Sequence, residues 1–141
     1  MVRAFICALF LATQAGAAQQ QSCQAFILSD TDPNLTHGPS RSYANGRILL
    51  TQVDIEEPTC CGVFLEVQFP VPGQDALSCT LVGEQVGSGW GAIDLKRATS
   101  SYDPASGLMI QVPVRAFDGE VFRDAQVNIK INQDLGSVLV Q

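Results

Sequence analysis

The sequence predicts an all-β protein, an antiparallel β-sandwich, and three observations carry that expectation. Apolar and polar residues alternate along several short runs. Glycine, proline, asparagine and aspartate punctuate the chain between those runs. No stretch shows the 3.6-residue repeat of an amphipathic helix. The alternation is clearest where Cys61, Val63, Leu65, Val67 and Phe69 fall on one face and Gly62, Phe64, Glu66 and Gln68 on the other. It recurs where Ala125, Val127, Ile129 and Ile131 interleave with Gln126, Asn128, Lys130 and Asn132.

Residues 1–18 read as a signal peptide. One positive charge at Arg3 precedes a short apolar run, Ala4 to Ala12, and small residues such as Ala15, Gly16 and Ala17 form the exit. The apolar run is too short for a transmembrane helix. Cleavage before Ala18 or Gln19 is expected, giving a secreted or periplasmic protein with no membrane insertion after cleavage. Residues 19–141 suit one disulfide-stapled domain, long enough to bury a core. The chain has 8 Lys+Arg against 14 Asp+Glu, a formal net charge of −6, with no basic run. That balance argues against nucleic acid and anionic membranes as partners, since both reward clustered cations.

Along the chain, Gln19 to Ser22 is polar and expected to fray, and Cys23 to Leu28 reads as the first strand. Residues 29–45, from Ser29 to Asn45, read as a long loop because they hold Pro33, Gly38 and Pro39 among polar residues. Asn45-Gly46 signals a turn. The next run, Arg47 to Glu57, places Leu49, Thr51, Val53 and Ile55 on one face and Gln52, Asp54 and Glu56 on the other, and Pro58 ends it. Cys60 to Phe69 is a strand, closed by Pro70-Val71-Pro72-Gly73, and Leu77 to Val82 is another. Ala92 to Thr99 reads as extended, and Ser101 to Gly107 as a turn in which Pro104 presets φ and Gly107 closes. Leu108, Ile110, Val112, Val114 and Ala116 then alternate with Met109, Gln111, Pro113 and Arg115. Asp118-Gly119 turns, the 125–132 run follows, and residues 137–141 form a last strand. Seven to eight short strands in a chain of this size resemble the immunoglobulin-like architecture, with a small β-barrel as the second choice.

Cys7 lies in the signal, which leaves Cys23, Cys60, Cys61 and Cys79 as an even set in an oxidising compartment. Adjacent cysteines are closer than bridged Cα atoms normally sit, so separate partners for Cys60 and Cys61 are expected, namely Cys23 and Cys79 in either order. A regular hairpin about Gly73 would argue the opposite. It would set Cys79 beside Val67, too far from Cys61, and leave Cys23–Cys79 with a vicinal pair.

Candidate chemistry is sparse. Asp30, Asp32 and Asn34 have the D-x-D-x-N opening of a calcium loop, but Leu35 and Arg41 stand where an EF-hand needs glycine and glutamate. No metal or cofactor is therefore assigned. Asn34-Leu35-Thr36 is a glycosylation sequon. Cys60-Cys61 lacks the C-x-x-C spacing of a redox or zinc pair. His37 is the sole histidine, and no G-x-S-x-G elbow accompanies it. Trp90, among glycines, reads as a core tryptophan packed on a disulfide or as an exposed anchor. Pro113 has no N–H to donate, which places residues 107–117 at a sheet edge or bulge. Two readings follow: a partner strand docks there beside Gln111, Pro113 and Arg115, with Trp90 as a second anchor, or the proline blocks edge pairing and keeps the protein monomeric. The expected function is a non-catalytic binding, assembly or accessory module that engages a protein or polymer partner through a sheet edge or exposed loop. The alternative is a small secreted hydrolase or calcium-dependent binder using the 29–45 loop.

Overall fold

The computed structural model describes residues 17–24, 35–56 and 60–141. Within them the chain builds two antiparallel five-stranded sheets that pack together as a sandwich. The first sheet contains β1 (Gln19–Ser22), β2 (Leu35–Tyr43), β3 (Ile48–Ile55), β4 (Val63–Phe69) and β5 (Ser78–Gly83), in the order β1-β5-β4-β3-β2. The second contains β6 (Ala92–Ile93), β7 (Thr99–Asp103), β8 (Gly107–Phe117), β9 (Phe122–Asn132) and β10 (Ser137–Val140). Its order is β10-β9-β8-β6, with β7 also pairing β8. A 3-10 turn at Leu95–Arg97 separates β6 from β7.

The core is the apolar series of each sheet turned toward the other. Leu50, Leu65, Val67 and Val82 from the first meet Ile110, Val112, Ile129 and Ile131 from the second, all fully buried. Val127, Ile129 and Ile131 face inward as their alternation predicts, while Asn128 and Lys130 are only half-buried. β3 buries residues on both of its faces. Ile48 and Leu50 enter the main core, because Leu50 pairs with the inward Val67. Val53 pairs with Phe64 on the opposite face, where both join a second small cluster with Cys23 and Leu81. Two apolar faces on one sheet make period-2 alternation ambiguous about which one is the core.

Three expectations change. Gln19 to Ser22 is an edge strand paired with β5, not a frayed end. The only demand is on its backbone, so glutamine side chains do not prevent it. The expected first strand lies outside the described residues apart from Cys23, which is in a turn, and Gln24. Residues 35–43 of the expected loop are β2, and Gly38-Pro39 fall at a break in its register with β3, where a missing N–H is tolerated. Residues 99–103 are β7, so the expected turn shrinks to residues 104–106. There Asp103 Oδ1 accepts from the Ala105 amide at 2.7 Å, and Gly107 takes φ +95°.

The disulfides are Cys23–Cys79 and Cys60–Cys61, which overturns the expectation of separate partners for the adjacent pair. The β4–β5 register gives the reason. Cys79 lies opposite Gln68, at the far end of β4 from Cys61. Ser22 pairs with Thr80, and that brings Cys23 to Cys79 with Cα atoms 5.8 Å apart.

Both flanks of the sandwich are bridged. On one, Arg41 of β2 donates to the carbonyls of Leu95 and Ala98 at 3.0 and 2.6 Å and lies 5.5 Å over the Tyr43 ring. On the other, Gln20 of β1 donates to the Val138 carbonyl of β10 at 3.1 Å. One corner is bonded to both sheets. The amide of Trp90 donates to Val63 at 2.7 Å, and that of Gly91 to Arg115 at 2.8 Å.

Candidate sheet-edge binding site

The sequence places Gln111, Pro113 and Arg115 on one face of one strand, and the structure bears that out: all three stand on β8, off the core side. It corrects the expectation that this strand is an edge. β8 pairs with β9 along residues 108–117 on one side and with β6 and β7 on the other. Proline is nevertheless tolerated for a backbone reason. Asn128 exchanges both its main-chain bonds with Gln141, at 2.9 Å each, so it turns away from Gln111. Alternation then turns Pro113 away from β9 as well. Its carbonyl accepts from Asp94 at 2.9 Å, and its absent N–H faces the gap between β6 and β7. An interruption in the neighbouring strand relieves proline as well as an open edge does.

Beside Pro113 lies a shallow groove of about 360 Å³. Asp94, Arg97, Pro113, Arg115 and Asp124 line it. Its charges are paired within the protein. Arg97 Nε sits 2.7 Å from Asp94, and that hydrogen bond holds the Asp94 carboxyl below its ordinary range. Arg115 lies 3.5 Å from Asp124 and 5.8 Å from the Phe122 ring centroid. With each arginine matched to an aspartate, the groove offers no net charge to a ligand.

Trp90 is 3% exposed and belongs to the main core, so the exposed-anchor reading is corrected. It does not share a cluster with Cys23–Cys79, which lies on the other face of the first sheet. Trp90 borders an open depression of about 400 Å³ that is also lined by Asp54, Glu56, the Cys60–Cys61 bridge and Phe122.

As with β1 and β2, sequence reading missed β7, Thr99-Ser100-Ser101-Tyr102-Asp103. All five residues are exposed. The same alternation bonds Thr99 to Gln111 and Ser101 to Met109. The main-chain groups of Ser100 and Tyr102 therefore point outward, and no described residue bonds them. The strand carries no proline, lysine or bulge, the usual guards of an exposed edge. The other edges differ: β2 carries Gly38-Pro39 and a register break, β1 and β10 face one another through Gln20, and β6 is only two residues long. The signal was present in Ser100-Ser101-Tyr102, but Pro104 and Gly107 close behind it made the whole stretch read as a turn.

The remaining candidates divide simply. Asp30, Asp32 and Asn34 lie outside the described residues, as does the sequon asparagine. His37 is exposed on β2, and among the described residues no hydrogen bond joins it to a serine or a carboxylate. The Cys23 and Cys79 sulfurs and a Glu66 oxygen lie within 4.8 Å of one another, but the two sulfurs are spent on their mutual bond. No described helix is long and apolar enough to cross a membrane. Comparison with protein-family models, curated proteins and solved structures finds no match.

Proposed function

We propose that this is an exported, non-catalytic binding module of immunoglobulin-like architecture, which engages a protein partner by strand addition at the outer edge of β7. Export, to a periplasm or beyond the cell, rests on the composition of residues 1–18 and on the two disulfides. The observation that carries the binding role is the pair of unpartnered, outward-facing main-chain stations at Ser100 and Tyr102 on a strand without edge guards. An incoming extended segment gains main-chain hydrogen bonds there, and affinity in such complexes comes from the backbone. The expected docking residues therefore move one strand outward, from Gln111, Pro113 and Arg115 to Ser100 and Tyr102.

Ser100→Pro tests this. The Ser100 N–H points to solvent, so proline removes a docking donor without breaking a β7–β8 bond. Wild-type mature protein should capture its partner from the native source, and the variant should lose that capture while melting at nearly the same temperature. Undiminished capture by a folded Ser100→Pro variant would overturn the proposal.

A further inference from the structure

Resting on the edge-binding reading, we infer that a second copy of this chain can occupy the edge, pairing β7 with β7 antiparallel about a two-fold axis through Ser101. The register follows from which groups are free. Ser100 and Tyr102 hold the outward N–H and C=O groups. A two-fold at Ser101 sets Ser100 of each copy opposite Tyr102 of the other, so both pairs exchange two main-chain hydrogen bonds. Shifting the register by one residue would set an outward-facing station against an inward-facing one and lose the bonds. Isologous contact of this kind is the commonest geometry of homodimers.

Charge fits the same arrangement. The strand is preceded by exposed Lys96 and Arg97 and ends at exposed Asp103. Antiparallel pairing sets the basic start of one strand beside the acidic end of the other, with Thr99 opposite Asp103. No like charges meet across the two-fold. Arg97 is already engaged by Asp94, whereas Lys96 has no partner among the described residues and is free to reach Asp103 of the other copy. The formal charge of the full chain is −6, and loss of Arg3 with residues 1–18 makes it 7 − 14 = −7 on each mature copy; this opposes association, but beyond about 8 Å that repulsion is screened at physiological ionic strength. Five paired residues bury little surface, so the association is weak and depends on concentration.

The test uses Ser101→Cys in the oxidised mature protein. Directly opposed residues at a non-hydrogen-bonded position lie about 4.5 Å apart between Cα atoms, within reach of a disulfide. Mild oxidation should give a covalent dimer of Ser101→Cys. Gln126→Cys, exposed on β9, should stay monomeric under the same conditions. By sedimentation, wild-type protein should self-associate as concentration rises. Lys96→Glu should weaken that association about two- to fivefold, and Ser100→Pro should weaken it about tenfold or more. A wild-type chain that stays monomeric, or equal cross-linking at positions 101 and 126, would overturn self-pairing. If partner capture is still lost in Ser100→Pro under that result, the edge reading survives and only the identity of the occupant falls. If capture is also unaffected, both readings fall.

Discussion

Ile129 is the sharpest test of the core. It has no exposed surface, pairs with Ile110 on β8 and Val140 on β10, and sits in the main cluster between the sheets. Ile129→Ala deletes three carbon groups. At about 0.8 kcal/mol for each, the lost transfer free energy is about 2.4 kcal/mol. Neighbouring strands hold the backbone on both sides, so the site collapses only in part. A residual void of about 50 Å³ would add about 1.2 kcal/mol. The total, about 3.5 kcal/mol, falls inside the usual span for such truncations. Asn128 is the comparator, one residue away on the opposite face. Asn128→Ala gives up the bond its Oδ1 accepts from Gln126 at 3.0 Å, in an exposed setting, and should cost about 0.5 kcal/mol or less. Urea unfolding of both oxidised variants, with the slope checked for constancy, measures the difference. If the two costs lie within about 1 kcal/mol of each other, β9 does not present the faces described.

Arg41→Met should cost about 1.5–3 kcal/mol in the same assay, because it strips two carbonyls of a charged donor; an unchanged midpoint would show that the flank is not braced there. Replacing Cys23 and Cys79 together by alanine should cost about 4 kcal/mol in the chain-entropy model, given their separation of 56 residues, and removing Cys60–Cys61, which encloses no loop, should cost far less by that mechanism. Equal losses from the two removals would contradict this. Asp118 accepts from the Val121 and Glu120 amides and from Arg123, which lowers its pKa from 3.8 to about 2. A depressed folded pKa stabilises above the unfolded value, so this contribution is intact near neutrality, declines below about pH 4 and is gone once pH passes below about 2. Asp118→Asn should flatten that acid limb; parallel pH profiles for variant and wild type would exclude the role.

The legible parts of the fold are those where one face is apolar and the other is not. β8 and β9 alternate over residues 110–115 and 127–132, and the residues buried there are ones the pattern names, although Ala125, placed on the same face by the pattern, is exposed. β3 carries Ile48 and Leu50 on one face and Val53 and Ile55 on the other, so alternation alone could not choose between them. β1 and β2 were hidden for another reason. Edge strands are held by backbone pairing, which polar side chains and even Pro39 at a break do not betray. The spacing of Gln111, Pro113 and Arg115 correctly put them on one face, but proline reports a missing neighbour bond and not the cause of its absence. The free edge at β7 follows from pairing between distant segments, and local sequence carries no record of that.

The corner at Gly89, Trp90 and Gly91 has a consequence for how the molecule comes apart. Consecutive amides there bond to Val63 in one sheet and Arg115 in the other, with the indole sealed in the core between them. Neither sheet can peel away without breaking a bond that its neighbour shares. Unfolding should therefore be all-or-none, with the Trp90 and Gly91 amides exchanging their hydrogens only through the same global opening that exposes Ile110 and Ile129. The fluorescence of the single tryptophan then reports on the whole domain, and one spectroscopic transition suffices to follow both sheets.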